Sequence, residues 1–292
     1  MQHAILITAY KNFDQLAGLI DAFDASFRCY IHIDKKCTFT SQEFDLLSER
    51  ENVDFIVRHF NVYWGGSNHL YAILQLLNEA YKDPSNQYFH LITGQDYPIK
   101  RLKDIDSFFQ KNEGKEFLEY NKMPYDKWEH GGLERLEYHN YCDHFNRKSA
   151  WGKFWIRTLL EFQKTFRIKR KFYEGFPALY GGSTYWSLSR NCVDYVEKYI
   201  LQNPQYLDRF NNSFCGEEIF FQTLIMNSPF KDNVVNDPLR YIVWENRNGN
   251  FPANLDLTDE DSMMQSQAIF ARKFEPPVSD ELLNNIKKKI EK

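Results

Sequence analysis

Two adjacent glutamates, Glu217 and Glu218, are the residues whose type and position most favour chemistry. They follow Asn212 and Ser213, which predict a helix start because either side chain can cap a first turn. The run 219–226 is almost wholly apolar and predicts that this helix is buried. A carboxylate at the mouth of such a helix is either a partner of the helix dipole or a general base directed into a cleft. The pair alone does not decide between the two.

The elements that would position these carboxylates begin as an alternation of strands and helices. Apolar and periodic stretches predict strands at 4–8, 29–34, 53–57 and 88–93, with helices at 13–23 and 69–81. This order is typical of a parallel sheet with crossover helices, in which ligands bind beyond the carboxyl ends of the strands. The candidate ligand contacts that follow these strands are Ala9, Asp34, Trp64, Gly94 and Asp96.

Two of the strand-end and turn positions have more than one explanation. Asp34 is a candidate for binding the uracil or ribose of a nucleotide, but an acid on a solvated loop explains it equally well. Gly181 and Gly182 precede Ser183 and would let a ligand approach the backbone, although a simple turn is the commoner use of paired glycines.

Residues 111–176 have a different character, because charged and aromatic side chains interleave there with little periodicity. Aromatic faces suit the CH faces of sugar rings, so this stretch is a candidate substrate-facing insertion. An irregular region with partly buried aromatic residues explains the same composition.

The remaining chain returns to regular patterns. A helix is predicted at 191–199, a strand at 239–244 and a capped helix start at 258–261, and the segment 268–274 is expected to close the folded part. We find no internal repeat, low-complexity tract or linker, which predicts a single domain over residues 1–292.

Composition excludes several classes of protein. The 292 residues carry a net charge of -4, whereas a nucleic-acid-binding protein usually has a basic face. No apolar run is long enough to span a bilayer, and the first eight residues, too short and uncharged for a signal peptide, are typical of a strand. The five cysteines lack metal-ligand spacing and indicate reduced thiols in a cytosolic protein. The lysine-rich stretch 285–292 is either a solvated helix end or a weak attraction to anionic lipid.

Common cofactor and metal motifs are also missing. The sequence contains no Walker loop, Rossmann glycine motif, nucleophile elbow or His-Glu-x-x-His. Asp-x-Asp occurs at Asp104–Asp106 and at Asp259–Asp261, but both fall at predicted helix starts, where acids favour the helix dipole. No metal site is therefore predicted.

The segment 90–100, with the sequence His-Leu-Ile-Thr-Gly-Gln-Asp-Tyr-Pro-Ile-Lys, resembles a motif of the core-2/I-branching N-acetylglucosaminyltransferases. The same family, glycosyltransferase family 14, includes the peptide O-xylosyltransferases. The resemblance runs nearly end to end and takes in the stretches 31–35, 63–67, 182–196, 217–229, 239–244 and 269–274.

This resemblance implies an α/β fold of the GT-A-like type, with a mixed, mainly parallel sheet flanked by helices. Residues 1–110 would form the nucleotide-binding half, and residues 111–292 would form the acceptor and catalytic half. It also implies an inverting transfer from a UDP-sugar to a glycan or lipid-linked oligosaccharide, with no metal or other cofactor required. N-acetylglucosamine is the first expectation for the sugar and xylose the second.

The resemblance also assigns roles to individual residues. Glu218 falls on the family's general base and Lys273 on a cation that contacts the donor diphosphate. Acceptor contacts fall on Glu119, near Lys127 and on Trp244. Asn250 stands where branching enzymes have a second diphosphate-binding arginine, so we expect Arg247 or Arg272 to replace it.

Other interpretations of the location and function of this chain remain open. Vertebrate members have an N-terminal membrane anchor, whereas this chain begins at its first predicted strand, which indicates a bacterial-type cytoplasmic protein with peripheral membrane contact left open. A catalytically silent carbohydrate-binding domain is the main alternative function. A metal-dependent transferase that uses Asp96 or an Asp-x-Asp pair is a further alternative.

Overall fold

The computed structural model describes residues 1–290, which are organised around a seven-stranded sheet. The strands of the chain are β1 (Gln2–Ala9), β2 (Phe27–Ile33), β3 (Val53–Val57), β4 (Asn86–Thr93), β5 (Asp96–Pro98), β6 (Glu116–Leu118), β7 (Asn121–Lys122), β8 (Tyr180–Gly181), β9 (Trp186–Ser189), β10 (Val234–Val235), β11 (Arg240–Ile242) and β12 (Phe270–Arg272). The α-helices are α1 (Phe13–Ile20), α2 (Ser41–Ser48), α3 (Asn68–Tyr81), α4 (Leu102–Lys111), α5 (Glu134–Glu137), α6 (Ala150–Thr165), α7 (Arg190–Gln202), α8 (Pro204–Asp208), α9 (Glu217–Met226), α10 (Glu260–Gln265) and α11 (Asp280–Ile290).

The seven strands of the main sheet lie in the order β10-β6-β9-β4-β1-β2-β3. Strand β1 is parallel to β2 and β4, β2 is parallel to β3, and β10 is parallel to β6. Strand β9 runs antiparallel to both of its neighbours, β4 and β6. The predicted mixed, mainly parallel sheet flanked by helices is confirmed, and both predicted halves of the chain contribute strands to it.

Strand β1 shows how helices cover both faces of this sheet. Ile5 and Ile7 pack into the cluster formed with α1, α2, α4 and α11. Ala4 and Leu6 pack into the opposite cluster, formed with α3, α7 and α9. Successive side chains of a strand point to opposite faces, so full burial of all four is typical of a central strand in a covered sheet.

A second, three-stranded sheet in the order β11-β12-β5 brings the C-terminal part of the chain to the main sheet. In it, Arg272 of β12 lies opposite Asp96 of β5. The amide of Phe274 donates to the carbonyl of Gln95 (2.9 Å), which holds the chain after β12 beside the loop that follows β4. Lys273 is thereby placed next to the carboxyl end of the parallel strands.

Two helices differ from the expectations drawn from sequence. Helix α6 covers sixteen residues of the stretch interpreted as poorly periodic. Its exposed face carries Trp151, Phe154 and Phe162, so apolar residues lie on both sides of the helix and mask its period. Helix α11 follows the segment expected to close the fold, and it buries Leu282 and Ile286. The lysine-rich stretch overlaps α11, and its last two residues lie outside the described part of the chain.

Two further observations concern the whole described chain. All five cysteines are free thiols, as expected, and four of them are buried. None of the helices within residues 1–290 combines the length and the hydropathy that a bilayer-crossing helix needs.

Candidate active site

A cavity of about 640 Å³ opens at the carboxyl ends of the parallel strands. Its lining includes Ala9 from the end of β1, Asp34 after β2 and Thr93 from the end of β4. This is the position at which parallel sheets bind ligands. The start of α9 adds Glu218, and the chain after β12 adds Lys273.

The structure brings most of the predicted site residues to this one cavity. Those that line it are Ala9, Asp34, Trp64, Glu119, Ser183, Glu218, Trp244, Arg272 and Lys273. Those outside its lining are Gly94, Asp96, Lys127 and Arg247. The candidate base, two candidate diphosphate cations and two of the three candidate acceptor contacts therefore share a single space.

Glu217 and Glu218, in the first turn of α9, both line this space, and Glu218 is the more exposed of the two. The side chains of Glu217 and of 219–225 are buried, whereas that of Glu218 is 29% exposed. The predicted buried helix is confirmed, but its predicted caps are wrong, because Gly216 is the N-cap and no side chain caps the helix. The amide of Ser213 instead donates to Ser67 Oγ (3.1 Å), which fastens the loop before α9 to the start of α3.

The electrostatic setting of Glu218 favours proton transfer near neutral pH. Burial and the neighbouring charge of Glu217 raise the pKa of Glu218 to about 7, against an opposing effect of Arg135. A carboxylate with a pKa in that range is a suitable general base at physiological pH. The cavity position and the raised pKa favour a chemical role for Glu218 over a helix-dipole role.

Glu217 also lines the cavity, but it is buried and has a different set of contacts. Its Oε1 lies 3.0 Å from His69 Nδ1, and the other ring nitrogen of His69 lies 3.3 Å from Thr8 Oγ1. Its Oε2 is buried and has no hydrogen-bond partner among the described residues. Glu217 therefore ties the start of α9 to α3 and β1, and its negative charge acts on the adjacent Glu218.

Arg135 is a site residue that the sequence did not single out. Its Nη1 lies 2.5 Å from Glu218 Oε2. Its guanidinium stacks 3.7 Å from the ring centre of Trp128 and lies 5.7 Å from that of Phe214. Such stacking fixes a planar guanidinium without neutralising it. Arg135 belongs to no motif, and its place in the aromatic stretch was the only signal in the sequence.

The chain at the end of β12 adds two basic residues to the cavity lining. Arg272 and Lys273, which are consecutive in the chain, both line the cavity. The Arg272 guanidinium lies 4.4 Å from the ring centre of Tyr185. Burial and the nearby charges of Arg272 and Lys11 lower the pKa of Lys273 to about 8. Lys273 forms no ion pair among the described residues, and Arg272 Nη1 is buried without a hydrogen-bond acceptor. Both cations are therefore available to an anionic ligand.

Asp96 does not line the cavity but lies next to Arg272, one of these two cations. It is buried, and it accepts hydrogen bonds from the amide (2.8 Å) and hydroxyl (3.1 Å) of Thr93. Its Oδ1 also lies 3.6 Å from Arg272 Nε. Its predicted direct donor contact is replaced by a supporting one, because β5 turns this side chain inward. Burial raises the pKa of Asp96.

Arg247, Gly94 and Lys127 lie outside the cavity for different reasons. Arg247 is held by the carboxylates of Asp259 (2.6 Å) and Asp256 (3.1 Å), so of the two expected replacements for the missing arginine only Arg272 reaches the site. Gly94 is buried against Ala9, where an added Cβ would lie 3.1 Å from the Ala9 side chain. Lys127 is exposed to solvent beside the cavity-lining Trp128.

The predicted nucleoside contact, Asp34, is already paired. Its carboxylate accepts from Lys36 Nζ (2.6 Å) and from the amide of Val62 (3.2 Å). Lys36 in turn lies 4.3 Å from the ring centre of Tyr63, and all of these residues line the cavity. Asp34 therefore holds a loop at the cavity wall in addition to any contact with a ligand.

An aromatic surface forms part of the cavity lining. Trp244 and Phe251 are both more than 60% exposed, and their ring centres lie 5.8 Å apart. Exposed aromatic faces at a cavity mouth suit the apolar faces of sugars. Gly182 also lines the cavity, and close packing explains why this residue is a glycine: an added Cβ would lie 2.0 Å from the Glu119 carbonyl oxygen.

Metal ligation has no obvious place within residues 1–290. No group of three or more His, Cys, Asp or Glu side chains there is arranged to hold a metal ion. Asp106 of the first Asp-x-Asp pair binds the N-terminal amine (2.7 Å), and Asp259 of the second binds Arg247. These contacts agree with the interpretation of both pairs as structural acids.

Comparison with known proteins identifies a family and several relatives that the chain matches over most of its length. A family model described as "Core-2/I-Branching enzyme" matches residues 4–262. The chain is 25% identical to "Xylosyltransferase 2" of Canis lupus familiaris over 277 residues, which is 87% of this chain and 29% of that protein. It is 24% identical to "Xylosyltransferase sqv-6" of Caenorhabditis elegans over 225 residues, which is 75% of this chain and 25% of that protein.

A shorter match has higher identity. The "Beta-glucuronosyltransferase GlcAT14A" of Arabidopsis thaliana is 39% identical over 114 residues, covering 36% of this chain and 26% of that protein. The chain thus spans less than a third of the length of these relatives.

Among solved structures, the Staphylococcus aureus protein TarS matches with a TM-score of 0.31 and 18% identity. The match covers 42% of this chain and 36% of the TarS chain, and this likeness is too distant to carry an argument.

Proposed function

We propose that this chain, which belongs to the Core-2/I-branching enzyme family, is an inverting glycosyltransferase that uses a UDP-sugar. The observation that carries the proposal is the shared cavity of Glu218 and the two cations Arg272 and Lys273. A carboxylate with a raised pKa and two cations in one cavity suit a displacement at an anomeric carbon. The names of the xylosyltransferase and glucuronosyltransferase relatives support sugar transfer.

The reaction balances with these residues alone. The acceptor hydroxyl gives its proton to Glu218, and its oxygen forms a bond to the anomeric carbon of the sugar. The bond between that carbon and the bridging phosphate oxygen breaks, and UDP leaves from the opposite face with the bonding electron pair. Lys273 and Arg272 face the charge that develops on the diphosphate. Attack opposite the leaving group inverts the anomeric configuration.

Arg135 is a positioning residue in this scheme. Its ion pair with Glu218 holds the carboxylate in one direction and favours the deprotonated form, which is the form that accepts a proton. Stacking on Trp128 holds the guanidinium in place when an acceptor hydroxyl approaches Glu218. The ion pair and the apolar surroundings act on the Glu218 pKa in opposite directions.

The proposal includes metal independence. Enzymes that bind UDP through Mg²⁺ use the ion to neutralise the diphosphate. In this cavity the adjacent side chains Arg272 and Lys273 bring two positive charges to the same region. We propose that they replace the ion.

The donor sugar and acceptor are proposed at the level of class. Xylose and N-acetylglucosamine are the two sugars to test first, and the xylosyltransferase names among the relatives favour xylose. The aromatic surface of Trp244 and Phe251, in the cavity that Glu119 also lines, suits a glycan acceptor. Glucuronic acid is a third donor sugar to test, because of the shorter plant match.

One observation favours a second function, a carbohydrate-binding domain without turnover. The Glu218 carboxylate is already engaged by Arg135 at 2.5 Å, which is the arrangement expected of a structural ion pair. In that case the cavity would bind UDP-sugar or glycan, and no sugar would be transferred.

A nucleotide-sugar screen followed by product analysis tests the proposal. Thermal unfolding with each UDP-sugar identifies the donor, because a hundredfold excess over the dissociation constant stabilises the fold by about 2.7 kcal/mol. Proton NMR of the reaction with that donor then reports transfer and anomeric configuration. We expect a product whose anomeric configuration is opposite to that of the donor. A product with retained configuration would refute the inverting mechanism, and binding without transfer would support the silent domain.

A further inference from the structure

Exposed aromatic side chains are concentrated on helix α6 and the turn after it. Fourteen large apolar side chains are strongly exposed in the described part of the chain. Five of them fall between residues 151 and 168: Trp151, Phe154, Phe162, Phe166 and Ile168. A water-soluble surface rarely collects so many in one place, and such patches mark interaction sites.

These side chains form a stripe along the outer face of the helix. Gly152, Ile156 and Gln163 are the buried positions of α6 and define its inner face. Trp151, Phe154 and Phe162 lie on the opposite side, and Phe166 continues their line beyond the helix end. Their aromatic contacts are with one another and with Trp155, as in the 6.0 Å pair of Trp151 with Phe154 and the 4.6 Å pair of Phe162 with Phe166.

The same segment has a charge opposite to that of the chain. Residues 147–171 contain nine Lys or Arg residues and a single acid, Glu161, whereas the whole chain has a net charge of -4. The side chains of Lys153, Arg157, Arg167 and Lys171 form no ion pair or hydrogen bond among the described residues, and all four are exposed. This basic-aromatic segment, residues 147–171, therefore has both unpartnered cations and exposed aromatic rings.

We propose that the basic-aromatic segment binds the surface of an anionic lipid bilayer, with α6 lying in the plane of the interface. Tryptophan and phenylalanine insert at the boundary between head groups and acyl chains, and flanking lysines and arginines contact anionic head groups. A helix with an exposed aromatic stripe, within a segment of nine Lys or Arg residues, has the composition of such interfacial helices.

A second copy of this chain fits the same surface less well. A twofold dimer places the same patch on both partners, so the unpartnered cations of the segment would lie near identical cations. A bilayer that contains anionic lipid presents opposite charge and an apolar layer together. Charge complementarity therefore favours the membrane.

The location of the segment relative to the cavity gives the contact a consequence that rests on the proposed function. Lys148, near the start of the segment, lines the cavity that contains Glu218. A chain bound through α6 would hold that cavity close to the lipid head groups, where the hydroxyl of a lipid-linked acceptor would be accessible. Membrane binding itself does not depend on any transfer activity.

Sedimentation with phosphatidylcholine vesicles, prepared with and without phosphatidylglycerol, tests the proposal. The chain should sediment with the anionic vesicles and remain in solution with the neutral ones. The variant Trp151→Ser/Phe154→Ser/Phe162→Ser should bind at least about 10-fold more weakly, and Lys153→Glu/Arg157→Glu should bind weakly and lose sensitivity to salt. All five substituted side chains are exposed, so thermal unfolding should stay unchanged and confirm folding.

Two control variants separate the segment from other surfaces. Leu201→Ser removes an apolar side chain that is 79% exposed on α7 and should leave vesicle binding intact. Lys287→Gln/Lys288→Gln removes charge from α11 and should also leave it intact. No binding to anionic vesicles would overturn the proposal, as would binding that only the α11 variant abolishes. A dimer in light scattering that the aromatic variant dissociates, without vesicle binding, would assign the stripe to a second copy and overturn it too.

Transfer activity distinguishes a failure of this inference from a failure of the proposed function. The aromatic variant should transfer sugar to a short water-soluble acceptor at the rate of the unsubstituted chain, because none of the three residues lines the cavity. Vesicle binding in a chain that lacks transfer activity would support this inference and refute the proposed function.

Discussion

Arg135 Nη1 lies 2.5 Å from Glu218 Oε2, so the candidate general base is held by a cation before any acceptor arrives. The side chain of Glu218 is partly exposed to the cavity, while its neighbour Glu217 is buried against His69. The two adjacent carboxylates therefore have different partners and different exposure to the cavity that both line. Glu218 is the more exposed, and Glu217 fastens the helix that carries both.

The pH dependence of transfer should follow the protonation of Glu218. A general base acts in its deprotonated form, so the rate should rise with pH through the Glu218 pKa of about 7. Arg135→Met removes a charge that lowers this pKa, so the rising limb should move to higher pH. The variant Arg135→Lys retains the charge and should move it less. A pH-rate profile measures both, and an unchanged limb in Arg135→Met would show that the ion pair does not act on the base.

Stability should respond to Glu218 in the opposite sense from activity. Its pKa is raised from 4.5 to about 7 in the folded chain, so the native state binds more protons than the unfolded state between these values. The free energy of unfolding therefore falls as pH rises through that window. Glu218→Gln removes the buried charge and should be more stable than the unsubstituted chain by about 1–3 kcal/mol at pH 8. Urea unfolding at pH 8 and pH 4 measures this, and an equal gain at both pH values would contradict it.

Lys273 should control the affinity for the donor nucleotide. Its pKa of about 8 means that it is protonated below that pH, so UDP binding should be tight there and weaken as pH rises through 8. Lys273→Met should weaken UDP binding by about 10- to 100-fold, as expected for a lost charge-assisted hydrogen bond. Calorimetric titration with UDP gives both results. The exposed Lys231 is a matched control, and Lys231→Met should bind UDP normally.

Removal of divalent metal should leave transfer unchanged. The proposal assigns neutralisation of the diphosphate to Arg272 and Lys273, so activity in excess EDTA should equal that without it. Activity that EDTA abolishes and Mn²⁺ restores would instead support the metal-dependent alternative. That outcome would require a metal held by the donor phosphates together with few protein ligands.

Acceptor recognition should depend on the aromatic surface. Trp244→Ala should raise KM for the acceptor by about 5-fold, because a stacked aromatic contact of this kind contributes on the order of 1 kcal/mol. UDP binding should not change. Steady-state kinetics with varied acceptor concentration tests this. Leu201→Ala removes another exposed apolar side chain, on α7 and outside the cavity lining, and should leave KM unchanged.

The sequence predicted the elements whose apolar pattern is strong and the positions that follow from topology. The strand 88–93 lies within β4 and the apolar run 219–226 lies within α9, as expected, although that helix begins only at Glu217, after the predicted caps. Because ligands bind at the carboxyl ends of parallel strands, Ala9 and Asp34 were also placed correctly at the cavity. These inferences need only local pattern and the order of elements.

The direction of individual side chains could not be predicted in the same way. Asp96 follows a strand, as a ligand contact should, but β5 turns it inward to bind Thr93. Arg247 was a reasonable replacement for the missing arginine, yet Asp256 and Asp259 hold it elsewhere. Arg135 lies on a four-residue helix in an aperiodic stretch, so its approach to Glu218 depends on tertiary packing that no local pattern records.

Transfer by Glu218→Gln, measured beside its UDP affinity, tests the central claim most directly. With the donor found by screening, the variant should lose at least about 100-fold in transfer rate, because the base is gone, while its affinity for UDP stays close to that of the unsubstituted chain. The exposed Glu174 provides the matched change, and Glu174→Gln should retain both properties. Transfer by Glu218→Gln at the unsubstituted rate would contradict the assignment of this carboxylate as the base.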